Sequence, residues 1–199
     1  PVATDEALID LFSYRPADLA LVGGSWGVEG DGTPVHHNVL ISGMKAVADI
    51  IGDRVQRRSA TRLEGARQMA LISGGADYAG FRRADLVVEA VFEDLAVKQR
   101  VLREVEAATG SDCVFASNTS TIPIGRIAEV SAHPETVVGM HFFSPVHKMP
   151  LLEVIAAERT APQTVVTAVA FGRKMGKTVI VVRDRPGFFV NRILTPYLN

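Results

Sequence analysis

The chain has 199 residues, 47% hydrophobic and 22% charged, a balance that suits a folded globular core and excludes general disorder. A formal net charge of −1 offers no basic field of the kind nucleic acid requires, and the short clusters Arg57-Arg58, Arg82-Arg83 and Lys174 with Lys177 read as solvated helix ends. The single cysteine, Cys113, excludes an internal disulfide and, lying in an apolar run, is expected to be inert core in a reducing cytoplasm.

The opening PVATDEALIDLF is acidic, unlike a signal peptide, and no apolar run approaches the roughly 18 to 20 residues of a membrane span, so no membrane span is expected. ADLALVGG (17–24) reads as a strand entering a glycine turn, and the SWGVEGDGTPV that follows cannot be a long helix. A dinucleotide phosphate cradle needs G-x-G-x-x-G running directly into a helix, so that backbone amides face the pyrophosphate. Counting from Gly23 gives Gly23, Ser25 and Val28, and from Gly24 gives Gly24, Trp26 and Glu29, so neither register matches. The next strand candidate, TPVHHNVLI, lacks an acidic residue to hold a ribose and offers only Asn38. One or two helices follow in GMKAVADIIGDRVQRRSATRLEGARQMALIS, with Asp77 and Tyr78 in the turn before the next strand.

From Asp85 onward buried strands alternate with amphipathic helices. LVVEAVF (86–92) is a short strand, and Asp94 can cap LAVKQRVLREVEAAT, whose Leu95, Val101, Leu102 and Val105 form an apolar stripe ended by Gly110. CVFASN is a second strand, after which Thr121 and Pro123 open a short helix through IGRIAEV. TVVGMHFF and LLEVIAA are two more strands. Thr160 then caps the helix APQTVVTAVAFGRKM, closed by Gly176, and KTVIVV is a further strand. Asp184 and Pro186 start a last helix, PGFFVNRILTPYLN, which is apolar on most sides and expects a packing partner. This alternation predicts an α/β fold with a mostly parallel sheet.

SPVHKMP (144–150) carries two prolines and reads as the loop of a hairpin spanning about 136–156. If the hairpin is centred on His147, His141 and Glu153 face each other on one side of the sheet. An imidazole with one nitrogen held by a carboxylate keeps a fixed tautomer, and its other nitrogen can take a proton from a substrate. A histidine beside two phenylalanines is equally the pattern of a satisfied, partly buried residue, and both readings stand on this stretch alone. Gly172 to Thr178, GRKMGKT, is one residue short of a P-loop and lies between helix and strand in the wrong order, so it reads as a helix C-terminus. No metal is expected: His36 and His37 are adjacent on a strand, and His133, His141 and His147 lack partners at ligand spacing.

The strings ADLVVEAVFEDLAVKQRVLREVE, FASNTSTIPI, GMHFFSPVHKMPLLEVI and DRPGFFVNRILTPYLN, in that order, resemble the 3-hydroxyacyl-CoA dehydrogenase family. The likeness covers about residues 77–199 and is nearest to the dehydrogenase part of bacterial multifunctional fatty-acid oxidation enzymes. It implies a Rossmann-like domain over 17–184, a linker helix over 1–16, and over 185–199 the first helix of a C-terminal helical domain. It implies NAD as cofactor, an acyl-CoA substrate, and the oxidation of 3-hydroxyacyl-CoA to 3-ketoacyl-CoA in fatty-acid β-oxidation. It further implies a homodimer or a place in a larger multifunctional protein. In that family the position of His141 is the general base, Glu153 orients it, and Ser120 and Asn191 bond the substrate oxygens. Glu93 lies near the nicotinamide ribose, and Lys98 near the cofactor or the CoA portion; Ser120 is cofactor-binding as well, and Gly23 and Gly24 are what remains of the phosphate loop. For Glu93 and Lys98 an exposed ion pair at a helix start is an equal reading.

The resemblance also marks a departure. From Gly23 to GTPV the chain is shorter than family members by about two helical turns, so the first βα unit is shortened and weak or no NAD binding is expected. A non-catalytic remnant used for binding or assembly is therefore a second reading. A third is another Rossmann hydroxyacid dehydrogenase, which would want a catalytic lysine where this chain offers His141 and Glu153. The start at Pro1 and the end inside a helical pattern at Asn199 read as a piece of a longer protein.

Overall fold

The computed structural model describes residues 19–24, 47–72, 77, 78 and 80–198. The linker helix expected over 1–16, the glycine segment beyond Gly24, and the TPVHHNVLI strand with Asn38 lie outside the described residues. Six strands form one sheet in chain order: β1 (Leu19–Gly24), β2 (Leu86–Val91), β3 (Val114–Ser117), β4 (Val137–Phe142), β5 (Leu151–Ala156) and β6 (Thr178–Arg183). All neighbours are parallel except β4 and β5. The short 143–150 loop permits only an antiparallel return, whereas the helices between the other pairs supply the crossovers that parallel strands need. Because β5 runs against β4 and β6 follows β5, the sheet has two blocks of opposite direction. The expected α/β fold, mostly parallel with one hairpin, is the observed one.

Both faces of the sheet are covered over β2 to β5, which is why these strands read as continuous apolar runs rather than alternating ones. One face packs Val87, Val91, Phe115, Val137 and Ile155 against α2 (Leu95–Ala108) and α3 (Ile124–Ala128). The other packs Val88, Val114, Ala116, Val138, Met140 and Val154 against α4 (Pro162–Lys174). Upstream, residues 47–56 are helical and α1 (Arg62–Met69) follows a break at Arg58, whose φ is 58°. A capping box of Thr61 and Glu64 starts α1. Among the described residues no helix is long and apolar enough to cross a membrane.

Capping follows local expectation where the partner is near in sequence and departs from it where a distant group intervenes. Asp94 accepts from the Val97 amide at 3.0 Å and opens α2 as expected, and Gly176, with φ 73°, stops α4. Thr160 does not cap α4. Its hydroxyl donates to the Val137 carbonyl at 2.7 Å and so ties the turn to β4. Thr121 does not open α3, because its hydroxyl turns to Glu93, and Pro123 is the cap residue rather than the first helical one. The α3 amides of Ile124 and Gly125 are taken by the Asp184 carboxylate at 2.8 and 2.7 Å. Asp184 is therefore unavailable to start the last helix, α5 (Val190–Leu198), which begins four residues beyond Pro186. Lys177 is no solvated helix end: it is buried, and its ammonium donates to the Val146 and Met149 carbonyls at 2.5 and 2.8 Å, pinning the hairpin loop. Burial lowers its pKa.

Cys113 is buried and unpaired, and burial raises its thiol to about 11, in keeping with the inert residue expected. Gly139 is a tighter constraint. A Cβ there would sit 2.8 Å from Ile124 Cδ1 and from two atoms of Ile155, so β4, β5 and α3 close on bare backbone. Gly139→Ala is expected to lower unfolding stability by about 1 to 3 kcal/mol, read from the urea midpoint at constant slope; an unchanged midpoint would show that the contact relaxes without cost.

Candidate active site

The hairpin register pairs His141 with Glu153, as the loop centred on His147 requires. His141 Nδ1 lies 2.7 Å from Glu153 Oε2, and both side chains are buried. The other carboxylate oxygen, Oε1, accepts the amides of Phe189 and Val190 at 3.1 and 3.0 Å. As a carboxylate Glu153 only accepts, so Nδ1 carries the proton of the contact and a neutral ring has its lone pair on Nε2. The two amides belong to the start of α5, where the helix dipole favours a negative charge. They reach Glu153 because Gly187 and Phe188 turn the chain with φ of 73° and 49°. A positive φ at phenylalanine is held by its surroundings: Phe188 is buried, with its ring 5.7 Å from that of His141, and Phe143 lies on the imidazole at 4.5 Å between ring centres.

The loop after β3 carries Asn118, Thr119 and Ser120. The Asn118 side-chain oxygen accepts the Phe142 amide at 2.9 Å, joining this loop to the residue after His141. Asn191, near the start of α5, donates through Nδ2 to the Ser120 carbonyl at 3.1 Å. His141, Glu153, Asn191 and Ser120 are thereby linked through α5 and two strand ends. The β3 loop is gathered by Glu93, whose Oε1 accepts from the Thr119 hydroxyl at 2.6 Å, from the Ser120 and Thr121 amides at 2.9 and 3.1 Å, and from the Thr121 hydroxyl at 3.2 Å. Partial burial works to raise the Glu93 pKa, but the Thr119 hydroxyl, Lys98 and the two amides outweigh it, and the net shift is downward.

Lys98 is not part of an exposed pair. It is 1% exposed, with its ammonium 2.8 Å from Glu89, 3.3 Å from Glu93 and 3.3 Å from the Val91 carbonyl. Glu89 hides in the sequence as one polar letter in an apolar strand, and the only signal for it is its spacing of nine residues from Lys98. Asn118 and Lys177 are likewise positioning groups that the linear pattern does not reveal. Gly23 and Gly24 end β1 opposite Ala90 and Val91 of β2, next to the Glu93 segment. Gly24, Glu93, Asn118, Ser120 and His141 lie at or just beyond the carboxyl ends of the first four strands, the edge where open α/β sheets take their ligands. Among the described residues no group of three or more metal-ligating side chains occurs.

A sequence model described as 3-hydroxyacyl-CoA dehydrogenase, NAD binding domain, matches residues 22–185. Among solved structures, M. tuberculosis FadB2 superposes with a TM-score of 0.79 at 29% identity over 98% of this chain and 65% of that one. The (S)-3-hydroxybutyryl-CoA dehydrogenase PaaH1 from Ralstonia eutropha gives 0.81 at 28% identity, covering 99% and 65%. The 3-hydroxybutyryl-CoA dehydrogenase from Escherichia coli gives 0.80 at 26% identity, covering 98% and 38%. The chain thus spans less than two thirds of the length of these relatives. NAD is the dinucleotide of the matched family, and the glycine pair at the end of β1 beside Glu93 fits a group that needs close backbone approach and a polar edge. Match, topology and site together place this chain in the 3-hydroxyacyl-CoA dehydrogenase NAD-binding domain family.

Proposed function

We propose that the protein oxidises a 3-hydroxyacyl-CoA to the 3-ketoacyl-CoA in fatty-acid β-oxidation, with His141 as general base. The observation that carries this reading is the buried 2.7 Å contact between His141 Nδ1 and Glu153, with the second carboxylate oxygen held by two amides. That arrangement leaves Nε2 as the acceptor for the 3-hydroxyl proton. NAD, when bound, supplies the acceptor for the hydride that leaves C3 as the carbonyl forms. Phe143 and Phe188 restrict the imidazole to one orientation, so its lone pair is aimed before substrate arrives. Ser120 and Asn191 offer a hydroxyl and an amide for the substrate oxygens, and the Asn191–Ser120 contact sets their spacing. Glu93, Gly23 and Gly24 serve the cofactor side. Lys98 acts there as well, through its contact with Glu93.

In this reading residues 17–184 form the dinucleotide domain, 185–199 begin a helical domain, and the protein works in the cytoplasm as a homodimer or within a multifunctional enzyme. The rival in which the chain is a binding or assembly module rests on the glycine segment after β1, where no G-x-G-x-x-G register exists. Calorimetric titration with NAD separates the two. Micromolar affinity is expected of the dehydrogenase, and no detectable heat at millimolar NAD would favour the module.

In the intact protein, His141→Gln is expected to reduce kcat by about 10²- to 10⁴-fold with NAD affinity unchanged within about twofold. Retained turnover would reject the base assignment. The lowered Glu93 pKa also makes a stability claim. Its charged hydrogen bonds contribute fully above the ordinary carboxylate value of 4.5 and are lost as pH falls below that, through the depressed folded value. Urea unfolding at about pH 7 and about pH 4 should show a smaller acid loss in Glu93→Gln than in the parent; equal losses would refute the assignment.

A further inference from the structure

Glu89 is a fully buried carboxylate in the middle of β2, in register with Val22 of β1 and Ser117 of β3. Its neighbours on that face are apolar, Val87 and Val91 along the strand and Val101, Leu102 and Val105 on α2. A charge there must have its lone pairs filled. The Val91 amide at 2.6 Å and the Lys98 ammonium at 2.8 Å fill Oε1, and the Ser117 hydroxyl at 2.6 Å fills Oε2.

From this point two routes lead to Ser120. Ser117, whose hydroxyl donates to Glu89, accepts the Thr119 amide at 3.3 Å. Lys98, held by Glu89, stands 3.3 Å from Glu93, which binds the Ser120 amide directly. Core packing alone requires no charge at position 89, since buried ion pairs are often matched in stability by well-packed apolar groups. The contacts instead lock the end of β2 to the loop after β3.

We propose that Glu89 is a positioning residue for Ser120, acting through Ser117 and through the Lys98–Glu93 pair; this rests on the reading that Ser120 bonds the substrate. Without the charge at 89, Glu93 is the one carboxylate left to Lys98 among the described residues. The ammonium then draws Glu93 away from the Thr119 hydroxyl and the Ser120 and Thr121 amides, and Ser120 loses its fixed place.

The test is a double-mutant cycle in the intact protein with Glu89→Gln and Ser120→Ala, read as kcat and KM for a 3-hydroxyacyl-CoA and paired with amide hydrogen exchange at Ser120 and Thr121. Glu89→Gln is expected to lower kcat about tenfold or more with KM within about twofold, to lose most of that effect in the Ser120→Ala background, and to speed exchange at the two amides about tenfold. Full-size loss in the Ser120→Ala background, or unchanged exchange, overturns the proposal. If Ser120→Ala itself turns over normally, the functional reading of Ser120 fails and the exchange arm alone decides the positioning claim. If Glu89→Gln does not fold, Ser117→Ala carries the exchange measurement, and unchanged protection of Ser120 and Thr121 overturns the proposal.

Discussion

The Glu153 carboxylate is the constraint on which the rest of the site depends. It is buried without any lysine or arginine beside it among the described contacts, and a charge in that setting survives only if its oxygens are filled by donors. One oxygen takes the imidazole of His141 and the other takes two amides at the start of α5. This demand accounts for the left-handed geometry at Phe188, costly for a residue with a Cβ, which together with the permissive Gly187 turns the amides inward. The reversal at β5 that the short loop imposes serves the same contact: an antiparallel neighbour brings residue 153 directly opposite residue 141, whereas a parallel crossover would have returned the chain at the other end.

Around this centre the architecture has a simple division of labour. The parallel block, β1 to β4, presents its carboxyl ends as a common edge, and the reversed block, β5 and β6, supplies the carboxylate and leads into α5. The site is stitched together by contacts that run long distances in sequence. Asp184 holds the start of α3, Lys177 holds the hairpin loop, and Asn118 holds the end of β4. Each replaces a local cap or turn bond with a bond between elements, so local geometry at the edge is set by tertiary structure. The loop bearing Ser120 is the clearest case, since a single oxygen of Glu93 collects four donors from three consecutive residues.

What could be read from the chain follows the same line between local and distant. The hairpin register was legible because strands alternate every two residues and a proline-bounded loop leaves little choice of centre, so His141 and Glu153 could be paired by spacing. Asp94 was legible as a cap because its acceptor role is filled three residues on. Thr160, Thr121 and Asp184 were misplaced for the opposite reason: each had a plausible local partner and was claimed by a distant one. Lys98 looked like an exposed pair because its stronger partner, Glu89, sits in an apolar strand where period alone predicts a hydrophobic residue.

The sharing of Glu153 between His141 and the start of α5 has a consequence for the order in which the molecule is completed. Strands β4 and β5 precede β6 in the chain, so residues 141 and 153 are both made before residues 187–190. Until that turn docks, one oxygen of the carboxylate has no donors, and the side chain is free to rotate toward water. The carboxylate that holds the imidazole is itself fixed at both oxygens only once the turn has closed. If His141 is the base proposed above, its competence depends on the segment beyond β6 having reached its place.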